Sequence, residues 1–300
     1  MKARNVVSMP DKAERFYRDV LRILNRANAK YLVGGSLALA HYMHLARRPK
    51  DLDIFLPREE CMKVLQLLEQ HGYATELLHP HWLAKAYCGD LFIDFIFNSG
   101  NGVVAVDHTW FDDAPSVKLF GVPVTLCTPE DIVWSKAFIM DRERFDGADV
   151  AHLIRDVGSD FNWDKTLARF QNHWRVLLSH LLLYQYIFPQ SNEIPEWILH
   201  QLMGKVMEEL SRGPTNETVC NGTLLSRDQY LHDVEELGYV DARIEPVGLL
   251  PAKDIDDYTR LIRAEQAAKY ALQHPDELLS DSVLSTLEAP VVEKTSEDAA

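Results

Sequence analysis

The first third of the chain alternates between helical and extended patterns of apolar residues. Apolar side chains recur at helical spacing over residues 13–28, which predicts an amphipathic helix. Residues 31–33 are a short apolar run typical of a strand. Gly34 and Gly35 interrupt this strand, and Ser36 can cap a new helix that continues to Leu45.

Further strands and one more helix follow. Polar and apolar residues alternate over 51–56, which indicates a strand that Pro57 ends. Residues 59–71 read as an amphipathic helix closed by Gly72. Strand-like runs come next, and the Gly89-Asp90 pair between the first two of them favours a hairpin. These runs cover residues 82–87, 91–97, 103–106 and 122–126.

From Thr128 onward the pattern is mostly helical. Thr128 can cap a helix whose first position is Pro129, and helical patterns continue to residue 188 and over 196–210. Residues 221–250 are poorly patterned, and 254–273 predict one more helix. We therefore expect four parts: a catalytic domain over 1–127, a helical domain over 128–213 that completes a cleft, an appendage over 214–285 and a disordered tail over 286–300.

Composition narrows the class of protein. Hydrophobic residues make up 47% of the 300-residue chain, which is enough for a sizeable core. The formal net charge is −14, from 45 acidic and 31 basic residues. This balance argues against a general nucleic-acid binder, but it leaves room for a local basic pocket. The chain shows no apolar signal segment, no run of 18 apolar residues and no C-x-x-C pair, so we expect a cytoplasmic protein with no membrane partner.

Three aspartates are candidates for a metal site. Asp51 and Asp53 lie two positions apart on one strand and project to the same face, about 6–7 Å apart. Divalent cations such as Mg²⁺ relieve the repulsion between such carboxylates, although an exposed strand face would also tolerate them. Asp94 interrupts an otherwise apolar strand, where an unpaired charge is costly. It could complete a three-carboxylate cluster, form a buried ion pair or lie at an exposed edge.

The Gly34-Gly35-Ser36 turn is a candidate phosphate site. Glycines let the backbone approach a ligand closely, and the following helix N-terminus offers free N–H groups. An ordinary tight turn would look the same, and the spacing is not that of a P-loop.

Taken together, these motifs resemble the DNA polymerase β-type nucleotidyltransferase superfamily. Gly34-Gly35-Ser36 is followed after fourteen residues by Asp51-Leu52-Asp53, and Arg47-Arg48-Pro49-Lys50 stands directly before the aspartates. The likeness covers roughly residues 13–157. The longer spacing from serine to aspartate is similar to that of the branch of AbiEii-like toxins and uncharacterised bacterial nucleotidyltransferases.

The resemblance implies an α+β fold with a mixed sheet flanked by helices, and it implies transfer of a nucleoside monophosphate from a nucleoside triphosphate to an acceptor hydroxyl, with release of pyrophosphate. Two Mg²⁺ ions, or Mn²⁺ in their place, would be held by Asp51, Asp53 and Asp94, which are then the catalytic residues. Residues 34–36 and Lys50 would bind the nucleotide.

A downstream lysine and aspartate fit the same branch. Lys136 lies within an apolar helical stripe, and Asp149 follows in a second helix. The likeness makes Lys136 and Asp149 additional nucleotide-binding residues, with Asp146 a weaker candidate. The alternatives are a lysine that reaches solvent, or a charged corner in which Arg142 and Arg144 pair with Asp146 and Asp149.

Three functions stay open at this point. The first is a metal-dependent nucleotidyltransferase with an unidentified acceptor, either a small molecule or RNA. The second is a non-catalytic nucleotide-binding module with the same fold, and the third is a toxin-type enzyme that modifies RNA. The presence of all three carboxylates favours an enzyme.

Overall fold

The computed structural model describes residues 9–43, 49, 51–213 and 218–273. The expected tail over residues 286–300 lies outside these ranges, and the expected domain boundaries stay predictions. The chain divides into two compact units, Met1–Ile255 and Asp256–Ala300. The described part of the second unit is the C-terminal portion of a single helix.

The helices of the described residues are, in chain order, α1 (Asp11–Arg26), α2 (Gly35–Tyr42), α3 (Arg58–Gln70), α4 (Pro129–Ala137), α5 (Gly147–Val157), α6 (Trp163–Phe170), α7 (Trp174–Ile187), α8 (Glu196–Arg212), α9 (Leu231–Glu235) and α10 (Ala252–Gln273). The strands are β1 (Leu32–Val33), β2 (Leu52–Phe55), β3 (Ala74–His79), β4 (Leu83–Cys88), β5 (Leu91–Ile96), β6 (Ser116–Leu119), β7 (Val122–Thr125), β8 (Val219–Cys220) and β9 (Val240–Asp241). Within the described residues, no helix combines the length and apolar character needed to cross a bilayer.

Five strands form the main sheet in the order β1-β2-β5-β4-β3. The central pair β2 and β5 is parallel, whereas β1–β2, β4–β5 and β3–β4 are antiparallel. Helix α2 packs on β2, and α3 covers β3 and β4. The predicted α+β fold with a mixed, helix-flanked sheet is therefore confirmed.

The core lies where the central strands meet the helices. Leu52, Ile54 and Leu56 are fully buried, as the alternating pattern predicts, and so are Ile93 and Phe95 on the neighbouring strand. Helices α4 to α7 pack against one another, and α5 also contacts α2. This last contact brings the helical region next to the glycine turn.

Several local predictions were wrong. Residues 103–106 form no strand. The Val104 N–H donates a hydrogen bond to the Ser99 hydroxyl, and the Val106 N–H donates one to the Phe97 carbonyl, so these backbone groups are not paired with another strand. Helix α2 ends at Tyr42, since Met43 is extended, and residues 44–48 lie outside the described part of the chain. Strands β3 and β6 were not predicted.

Candidate active site

Two parallel strands bring the three aspartates together. Asp53 on β2 is the register partner of Asp94 on β5, and Asp51 lies directly before β2. The three residues are half-buried, and each offers a carboxylate oxygen within 4.8 Å of the others. The structure therefore forms the three-carboxylate cluster that the sequence predicts.

Asp94 has a cationic partner that sequence analysis missed. The Lys85 ammonium on β4 donates a hydrogen bond of 2.5 Å to Asp94 Oδ1. Lys85 and Asp94 are directly opposite in the antiparallel pairing of β4 with β5. The hairpin around Gly89-Asp90 was predicted, and its register, once counted out from the turn, would have revealed this pair. Asp94 thus takes part in the acidic cluster and in an ion pair at once.

Without a cation the cluster is electrostatically unfavourable. Burial, followed by the charges of Asp51 and Asp94, raises the pKa of Asp53 from 3.8 to about 7. Burial also raises the pKa of Asp94, although the hydrogen bond and charge of Lys85 oppose this. A divalent ion between the carboxylates would remove the repulsion, and carboxylate oxygens are the ligands that Mg²⁺ and Mn²⁺ prefer.

The glycine turn lies against the acidic cluster. Gly35 has φ +54°, and a Cβ atom placed on it would lie 1.7 Å from Asp53 Oδ2. At Gly34 a Cβ would lie 2.4 Å from the Phe55 ring, and the Gly34 N–H donates to the Asp53 carbonyl at 3.0 Å. Only glycine lets the backbone approach the carboxylate this closely.

Ser36 presents an unused hydrogen-bonding group beside this turn. Its hydroxyl is buried near the start of α2 and has no hydrogen-bond partner among the residues that the structure describes. Such a group is costly unless something binds it. Its place next to a helix N-terminus suits a phosphate oxygen, so the residues present fit a metal–triphosphate group.

The downstream charged residues form a compact cluster. The Lys136 ammonium lies 2.6 Å from Asp146 Oδ2 and 2.9 Å from Asp149 Oδ2, and all three side chains are largely buried. Arg144 donates two hydrogen bonds, of 3.0 and 2.9 Å, to the carboxylate of Asp146. The positive charges of Lys136 and Arg144 oppose the rise in the pKa of Asp53.

The ion pairs change the interpretation of this second motif. Burial raises the pKa of Asp146, but the hydrogen bond from Arg144 and the charge of Lys136 outweigh it and hold the pKa below its usual value. Asp146 and Asp149 hold Lys136 in place. Of the pairs considered for a charged corner, the structure shows that of Arg144 with Asp146, and Lys136 lies between Asp146 and Asp149. Lys50, Arg47 and Arg48 lie outside the described residues.

The fold and the carboxylate cluster beside a glycine turn define the class as a nucleotidyltransferase. A family model described as an uncharacterised nucleotidyltransferase matches residues 13–188. The chain belongs to this family, and the matched range includes both the three aspartates and the Lys136 cluster. A search of curated proteins found no match.

Solved structures show a more distant likeness. The antibiotic-resistance factor ANT(2'')-Ia is 18% identical, with 57% of this chain and 98% of that chain covered and a TM-score of 0.39. The lincomycin-bound lincosamide antibiotic adenylyltransferase LnuA is 17% identical, with coverage of 50% and 98% and a TM-score of 0.34. JHP933 from Helicobacter pylori is 16% identical, with coverage of 68% and 97% and a TM-score of 0.34. Similarity at this level does not extend to the substrates of these proteins.

Proposed function

We propose that this nucleotidyltransferase is metal-dependent and transfers a nucleoside monophosphate from a nucleoside triphosphate to an acceptor hydroxyl, with release of pyrophosphate. The observation that carries the proposal is the contact between two motifs that lie apart in sequence. Gly35 lies directly against Asp53, and Asp53 pairs in register with Asp94. A metal held by the aspartates and a phosphate held by the turn would therefore be adjacent.

The three aspartates would have different roles in holding the two metal ions. Asp51 and Asp53 would hold both ions, and Asp94 would hold the catalytic ion. Bound Mg²⁺ or Mn²⁺ supplies charge neutralisation on the attacking and leaving oxygens. Asp94 lies at the side of the cluster next to Lys85, and in this position its carboxylate can orient the acceptor hydroxyl and take its proton.

The turn and the neighbouring basic residues would hold the triphosphate. Gly34 and Gly35 would let the backbone approach the phosphates, and the Ser36 hydroxyl, which has no partner in the described part of the chain, would gain one. Lys136 contributes a positive charge that lowers the pKa of Asp53, with Asp149 fixing the position of the ammonium. Lys50 stays a proposed nucleotide-binding residue on the strength of the resemblance alone.

The acceptor is the least constrained part of the proposal. The predicted helical domain over residues 128–213 would form the other wall of the acceptor cleft. Both a small molecule and RNA carry suitable hydroxyl groups. The net charge of −14 weighs against RNA, because RNA binding depends on basic side chains that neutralise phosphates.

The test compares two asparagine substitutions of the same type. Asp53→Asn removes one carboxylate of the cluster, whereas Asp90→Asn changes an exposed residue at the turn between β4 and β5. Each purified variant is incubated with Mg²⁺, labelled ATP, CTP, GTP or UTP, and a cell extract. We expect labelling and pyrophosphate release with the wild type and Asp90→Asn, and at least a hundredfold slower release with folded Asp53→Asn.

The labelled product would identify both the nucleotide and the acceptor. Labelling by Asp53→Asn at the wild-type rate would refute the assignment of the site. A wild-type protein that binds nucleotide but labels nothing in any extract would favour the non-catalytic alternative.

A further inference from the structure

We propose that Lys85 is a positioning residue that occupies one oxygen of Asp94 and thereby limits how tightly the acidic cluster binds a divalent ion before the nucleotide arrives. This inference rests on the proposed function. Its basis is the 2.5 Å contact between the Lys85 ammonium and Asp94 Oδ1. The side chains are 15% and 16% exposed, so this is not a loose surface pair.

Lys85 is held at this position from a second direction. Its ammonium lies 3.9 Å from the centroid of the Phe92 ring. Phe92 and Asp94 are two residues apart on β5, so both project to the face that Lys85 reaches from β4. A cation–π contact and an ion pair together restrict the lysine side chain far more than either does alone.

The arrangement has two consequences for a metal. A carboxylate has two oxygens, and the hydrogen bond from the ammonium to Oδ1 leaves that oxygen with fewer lone pairs to offer an ion than Oδ2 has. When the cluster is fully ionised, three carboxylates carry −3, and Lys85 reduces this to −2. Because the ammonium and the ion share one carboxylate, each weakens binding of the other through repulsion.

The two roles of Lys85 therefore act in opposite directions. As a cation it disfavours a divalent ion at the cluster, and as a hydrogen-bond donor it orders the carboxylate. At the short distances within one carboxylate the charge effect dominates. If Lys85 acts mainly through its charge, removal of that charge should strengthen metal binding. If Lys85 only orders the Asp94 carboxylate, its removal should weaken metal binding.

The experiment measures Mn²⁺ binding to the full chain in the absence of nucleotide, by the paramagnetic resonance signal of free Mn²⁺. We compare the wild type with Lys85→Met, Lys85→Gln and Lys85→Arg. We expect Lys85→Met and Lys85→Gln to bind Mn²⁺ about tenfold more tightly. Lys85→Arg, which keeps the charge, should stay within about threefold of the wild type.

Two further variants separate the possible causes. Lys63→Met removes an exposed lysine from α3, at a side chain that is 70% exposed, and changes the net charge equally. It should leave the Mn²⁺ affinity unchanged. Asp53→Asn should lose Mn²⁺ binding, which shows that the titration reports on the cluster.

Each outcome decides one question. Unchanged or weaker Mn²⁺ binding by both Lys85→Met and Lys85→Gln would overturn the role of Lys85 and leave the proposed function standing. If thermal unfolding shows that only one of these two variants is folded, the Mn²⁺ affinity of that variant decides whether Lys85 has the proposed role. A folded wild type that binds no Mn²⁺ would overturn the proposed metal site, and the inference with it.

Discussion

Replacement of Gly35 by alanine tests the contact between the two motifs most directly. A Cβ on Gly35 would lie 1.7 Å from Oδ2, 2.5 Å from Cγ and 2.9 Å from Cβ of Asp53. Non-bonded carbon and oxygen atoms do not approach this closely, so the Asp53 side chain must move. Gly35 also has φ +54°, a conformation that costs an alanine about 1–2 kcal/mol.

Gly72 offers a matched control for the loss of stability that an alanine causes at a positive φ. It has φ +86°, and a Cβ on it would meet no atom within 4 Å. Gly72→Ala should therefore lose about 1 kcal/mol of stability, which corresponds to roughly 2–4 °C in Tm for a chain of this size. Its affinity for Mn²⁺ should equal that of the wild type.

Gly35→Ala should lose at least as much stability, and it should also lose Mn²⁺ binding. A displaced Asp53 removes a ligand from the cluster, so we expect the Mn²⁺ affinity to fall by about tenfold or more. Pyrophosphate release should fall with it. The assays are thermal unfolding, Mn²⁺ titration and pyrophosphate release on the three proteins. A Gly35→Ala variant with wild-type Mn²⁺ affinity and activity would refute the close approach that carries the proposed function.

The remaining predictions concern charge and hydrogen bonding at the same site. Because the folded protein binds the Asp53 proton with a pKa of about 7, against 3.8 ordinarily, the stability of the metal-free protein should fall as pH rises from about 4 to about 7. Asp53→Asn should reduce this dependence of stability on pH, and an unchanged dependence in the variant would show that Asp53 is not its cause. In the wild type, Mn²⁺ should bind more weakly at pH 6 than at pH 8. Lys136→Met removes the ammonium that pairs with two largely buried aspartates and should cost about 3 kcal/mol in chemical denaturation, whereas Lys63→Met should cost less than about 1 kcal/mol. Ser36→Ala removes a hydroxyl that has no partner among the described residues, so it should leave the Tm unchanged or raised while nucleotide affinity falls about tenfold; a lower Tm would show that the hydroxyl is already bonded.

Sequence patterns predicted the parts of the fold in which burial alone decides the structure. The alternation at Leu52, Ile54 and Leu56 gave the correct buried face, and the Thr128 cap placed the start of α4 correctly. Residues 103–106 are as apolar as a strand, yet side-chain and backbone bonds to residues 97–99 keep them irregular. The apolar pattern of a segment does not report the hydrogen bonds that it makes with residues outside the segment.

In the candidate site, some features follow from local sequence signals and others from long-range contacts. Asp94 was predicted from a charge in an apolar strand, which is a local signal. Its partner Lys85 depends on strand register, and the partners of Lys136 depend on how α4 packs against α5. The approach of Gly35 to Asp53 depends on the pairing of β1 with β2, and no single-residue pattern encodes it.

Two features of the site are unfavourable in the isolated chain, and one ligand would relieve both. Burial, followed by the charges of Asp51 and Asp94, raises the pKa of Asp53 to about 7. The Ser36 hydroxyl is buried without a described partner. A divalent ion would offset the carboxylate repulsion, and the phosphates it carries would accept the Ser36 hydrogen bond. Gly35 keeps the space between them free of a side chain. Because a single metal–triphosphate group accounts for both, binding of that group is a better explanation of the site than two unrelated defects.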